Sequence, residues 1–60
     1  MNPLLAMELE TRTLVQLYVL ARLIETILVE NEEPPEERRG TFANRELVRR
    51  ELSKRHERGR

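Results

Sequence analysis

No cysteine, tryptophan or aspartate occurs in this chain of 60 residues, and histidine, lysine, serine, tyrosine and phenylalanine occur once each. Without cysteine there is no disulfide framework, thiolate zinc site, redox motif or thiol nucleophile. A lone His56 cannot build a metal site. Ser53, flanked by basic residues, has no histidine and acid at a helical spacing that would assemble a nucleophile, a base and its orienting group. The expectation is a protein without enzymatic activity, cofactor or metal.

Long apolar runs are missing too. The most apolar stretch, TLVQLYVLARLIETILV from Thr13 to Val29, is interrupted by Arg22 and Glu25, whereas a membrane-spanning helix needs roughly 18 or more uncharged apolar residues. The opening MNPLLAMELETR carries Glu8 and Glu10 and has no basic residue ahead of its apolar ones, which argues against a secretory signal. A cytoplasmic protein with no membrane partner is expected.

What is present is divided unevenly. All 11 acids are glutamate and 10 of the 11 bases are arginine, a usage that suits helices because both lose little side-chain freedom in them. The formal net charge of zero conceals a net of −6 over residues 1–37 and +6 over residues 38–60. Of the 23 apolar residues, 18 lie in the first 30 positions; after them come only Phe42, Ala43, Leu47, Val48 and Leu52. The chain therefore reads as all-α, with an apolar, acidic first half and a basic, polar second half.

The first half predicts one long helix over about 4–32, entered through Asn2 as N-cap and Pro3 at the first helical position, where its missing N–H does no harm. Pro34 and Pro35 end it, because they donate no backbone hydrogen bond and push the preceding residue out of helical geometry. A charged connector over about 33–40, with room for a short helical turn at PEERR, leads to a second helix over about 41–57. Thr41 caps its start and Gly59 follows its end. The domain expected is an antiparallel helical hairpin.

One hairpin does not bury everything the first helix offers. At 100° per residue, Leu9, Leu14, Leu17, Tyr18, Leu20, Ala21, Ile24, Ile27 and Leu28 share one broad face, while Val15, Val19, Leu23 and Val29 fall on the other. A chain this short buries only about 60% of the surface its unfolded form exposes, and the second helix has few apolar side chains to offer. The sequence thus predicts a homodimer, a four-helix bundle with Leu14, Leu17, Ala21, Ile24 and Leu28 as a heptad-like seam. Its interface would comprise Leu14, Leu17, Tyr18, Leu20, Ala21, Ile24, Ile27 and Leu28.

The basic segment supplies the remaining site. Arg50, Lys54 and Arg58 stand at i, i+4 and i+8, Arg45 and Arg49 line another side, and Arg55 is adjacent; such forks suit phosphate oxygens or an acidic protein partner. Against nucleic acid stand the interleaved Glu46, Glu51 and Glu57 and the absence of aromatic stacking residues. The leading expectation is a non-enzymatic homo-oligomeric interaction module that presents its charged helix to a protein partner. A small nucleic-acid-binding regulator is the alternative.

Overall fold

The computed structural model describes residues 1–58 and contains three helices, α1 (Ala6–Glu10), α2 (Leu14–Glu30) and α3 (Pro35–Arg58). The all-α class is as the sequence indicates; the two-helix hairpin is not. The long first helix is broken at Thr11–Thr13, and the connector expected over 33–40 is mostly helix. Gly59, read as the stop of the last helix, lies outside the described residues.

The break has a local cause. Thr13 is extended at φ −71° and ψ 161°, its hydroxyl accepts the Gln16 amide at 3.1 Å, and its own N–H donates to Gln16 Oε1 at 2.9 Å. This reciprocal capping box satisfies two N–H groups that a helix start leaves without partners. Just upstream, the Thr11 hydroxyl donates to the Glu8 carbonyl at 3.0 Å and closes α1. An unbroken helix could bond the same groups, so the box only permits the break. Its gain is that α1 folds back and buries Leu9 against α3.

The second boundary follows from proline placement. Asn31 takes the left-handed conformation (φ 54°, ψ 38°) at the end of α2, a conformation asparagine tolerates better than most residues. Arg38 Nη1 donates to the Leu28 carbonyl at 3.2 Å and satisfies an acceptor left open by that helix end. Pro35 then occupies the first position of α3, with Glu36 and Glu37 in its first turn. Fixed φ and a missing N–H suit proline there, and acids suit the positive end of the dipole. PPEERR is a helix start, and Gly40 lies inside α3.

The three helices form one core. α2 packs on α3, and α1 packs on the far half of α3. Glu25 meets Arg45, and the Leu28 carbonyl meets Arg38, so α2 and α3 run antiparallel. Leu4 meets Asn44 and Leu9 meets Arg55, so the N-terminal segment runs parallel to α3. Leu9, Leu17, Ile24, Leu28 and Val48 are buried together, with Met1, Leu4, Leu20, Ala21, Leu47 and Leu52 packed around them. Each fully buried aliphatic side chain contributes about 1.5–3 kcal/mol relative to leaving it in water.

The homodimeric four-helix bundle is overturned by this arrangement. Leu17, Ile24 and Leu28, three members of its seam, are consumed inside the chain's own core, and Leu20, Ala21 and Ile27 are half-buried there. The expectation erred on the second helix. α3 covers α2 not with a large apolar face but with Thr41, Asn44, Val48 and Glu51, three of them polar and all buried.

Candidate interaction surface

The outward side of α2 is apolar as well. Val15 is 72% exposed, Val19 63%, Leu23 51% and Val29 82%, and beside them Leu14 and Tyr18 are about half exposed. Val15, Val19 and Leu23 stand at i, i+4 and i+8 and form one ridge along the helix. With Leu4, Leu20, Arg12 and Gln16 that ridge lines an open groove between α2 and the N-terminal segment. Scattered apolar residues on a surface carry no message, but a contiguous patch rimmed by polar groups is characteristic of a docking site. The rim here is basic toward the start of the helix, with Arg12 and Arg22, and acidic at its end, with Glu30; all three are exposed.

The eight residues read as an oligomer interface are thus divided by the fold. Leu14 and Tyr18 are outside, beside the exposed ridge, and the other six face the chain's own core. The face left uncovered is the opposite one, whose Val15, Val19, Leu23 and Val29 the helical periodicity had separated from the seam.

The basic residues are divided as well. Arg45 Nε lies 2.7 Å from Glu25 Oε1, an ion pair whose atoms are not aligned for a hydrogen bond, and Lys54 Nζ lies 3.7 Å from Glu10 Oε1. Arg55 donates from Nε to Glu51 at 2.9 Å and from Nη2 to the carbonyls of Leu9 and Glu10 at 2.9 and 3.3 Å. It therefore clamps the C-terminal end of α1, where a cation meets the negative end of the helix dipole. Arg49, Arg50 and Arg58 are exposed and make no ion pair among the described residues. The six do not converge on one basic surface.

Sequence reasoning missed a group of polar residues that hold the N-terminal segment. The Met1 ammonium donates to the Glu33 carboxylate, to Thr41 Oγ1 at 2.9 Å and to the Glu37 carbonyl at 3.3 Å. The Thr41 hydroxyl donates to Glu33 Oε1 at 2.5 Å. Asn44 receives the Leu4 N–H at 2.8 Å and donates to the Asn2 carbonyl at 2.8 Å. Hydrogen bonds from the ammonium and from Thr41 hold the Glu33 carboxyl below its ordinary value of 4.5. The available signal was the spacing 41, 44, 48, 51, 55, alternately three and four apart, which marks one helix face whatever its polarity.

Comparison with family models, with curated proteins and with solved structures finds no match to this chain. Its fold defines the class, a small all-helical domain of three helices. Among the described residues no helix is long and apolar enough to cross a membrane, and no group of three or more acidic, histidine or cysteine side chains could hold a metal ion.

Proposed function

We propose that this chain is a non-enzymatic interaction module that docks an amphipathic helix of another protein along the outward face of α2. The observation that carries the reading is the ridge Val15, Val19 and Leu23, at least half exposed throughout and continuous with the groove beside Leu4 and Leu20. Helix-in-groove recognition uses such i, i+4, i+8 anchors. Arg12 and Arg22 at the rim select a partner with glutamate or aspartate flanking its apolar stripe, since like charges across an interface are costly.

The test is a titration of the protein with two synthetic amphipathic helices of the same leucine stripe, one flanked by glutamate and one by lysine, read by NMR shifts of the methyl groups. The glutamate peptide should move Val15, Val19 and Leu23, and the lysine peptide should bind at least about tenfold more weakly, the equivalent of 1.4 kcal/mol. Val19→Glu should abolish binding without loss of helicity. Equal binding of both peptides, or none, would remove the reading. Partition onto lipid vesicles or submicromolar binding to duplex nucleic acid at ~150 mM salt, where the Debye length is about 8 Å, would replace it with a membrane-surface or regulator role.

A further inference from the structure

The N-terminal segment lies in a cradle built from buried polar groups. Thr41 and Asn44 are fully buried, and their partners are the Met1 nitrogen, Glu33 and the main chain of Asn2 and Leu4. Gly40 completes it: a Cβ there would sit 2.6 Å from the Met1 carbonyl oxygen. Glycine inside a helix costs up to about 1 kcal/mol against alanine, and here the bare backbone is what lets the segment approach.

We propose that this cradle reads the chemical state of the Met1 nitrogen: a free ammonium locks the segment onto α3, and an acyl group on that nitrogen releases it. The nitrogen has three acceptors, the Glu33 carboxylate, Thr41 Oγ1 and the Glu37 carbonyl, matching the three donors of an ammonium. An acylated nitrogen keeps one N–H and no charge. Glu33 then loses its counter-charge in a partly enclosed site, and Thr41 Oγ1, inaccessible to water, loses its donor.

Hydrolysis of the acyl group restores the lock. Water cleaves the acyl C–N bond, the acyl carbon leaves as a carboxylate, and the amine takes up the proton. The modification is thus of a known chemical class, N-terminal formylation or acetylation and its removal. Leu4, held by Asn44, is also a wall of the groove on α2, so release would open that groove. This consequence alone rests on the docking reading above.

The test compares three synthetic 60-residue chains with Met1 free, formylated or acetylated, each as the native sequence and as Glu33→Gln. Hydrogen exchange of the Leu4 amide is the readout, with the Leu17 amide as the measure of global opening. Acylation should speed Leu4 exchange at least about tenfold, the equilibrium effect of one hydrogen bond to a charged group. In Glu33→Gln the acyl effect should shrink, because the carboxylate it acts through is gone. If an acylated chain loses its helicity altogether, the ratio of unfolding equilibria replaces the exchange ratio in the same cycle. Exchange within about twofold for free and acylated chains, or an acyl effect undiminished by Glu33→Gln, would overturn the proposal. No partner is present in the experiment, so its failure is separate from failure of the docking reading.

Discussion

α2 and α3 pack against each other and bury opposite chemistries. The inward face of α2 is Leu17, Ile24 and Leu28, and that of α3 is Thr41, Asn44, Val48 and Glu51. α2 is held by area removed from water, which is non-directional and tolerant of neighbours. α3 is held in large part by donors and acceptors that each have one named partner, mostly on the N-terminal segment and α1. Hence α2 has apolar surface to spare on its outer side, while α3 buries polar groups that would be costly without those partners. The difference teaches that burial in so small a chain follows the availability of partners rather than polarity alone.

The largest way to break the comparison lies inside α2. Ile24→Ala, at a fully buried site, should cost about 2–5 kcal/mol, enough to unfold most of a domain whose core supplies only a few kcal/mol. Leu23→Ala, one position away and 51% exposed, should cost far less. Urea melts of the two variants measure the contrast, and equal losses would reverse the assignment of the faces.

Next comes Asn44→Leu, which makes α3 more apolar at a buried position. It should nevertheless destabilise by about 1–3 kcal/mol, because the Leu4 N–H and the Asn2 carbonyl lose their partner away from water. A gain in urea midpoint would mean that α3 is held by area after all.

Acid should act on α3's end of the comparison and not on the α2 core. The folded carboxyl of Glu33 titrates below 4.5, so its contribution is fully present above that value and is lost as pH falls through the lower folded one. A pH series of melts should show stability falling on that acid limb, and Glu33→Gln should flatten the fall. Smallest of all is Lys54→Ala. Its pair with Glu10 is long, at 3.7 Å, and both side chains are about half exposed, so a change of about 0–1 kcal/mol is expected.

Helicity, the polar N-terminal cap of α3 and the two faces of α2 were legible in the residues. Leu17, Ile24 and Leu28 fall on one side of the helical wheel and Val15, Val19 and Leu23 on the other, and the structure keeps that division. Which side the chain itself would cover was decided by α3, whose inward stripe has a helical period but almost no apolar content. Hydrophobic periodicity is silent about such a stripe, and without it the second helix looked unable to cover the first. The break at Thr11–Thr13 was hidden for a related reason. Thr13 and Gln16 form a capping box signature, but the apolar pattern continues across it, and only the return of Leu9 to α3 and the Arg55 clamp make the break favourable.

The central claim is that the chain's own helices cover Leu17, Ile24 and Leu28 and leave Val15, Val19, Leu23 and Val29 in water. Methyl relaxation in the presence of a soluble paramagnetic agent tests it most directly. Strong broadening of the methyls of Val15, Val19, Leu23 and Val29, with those of Leu17, Ile24, Leu28 and Val48 untouched, is the predicted result. Protection of the ridge together with broadening of Leu17 or Ile24 would contradict it.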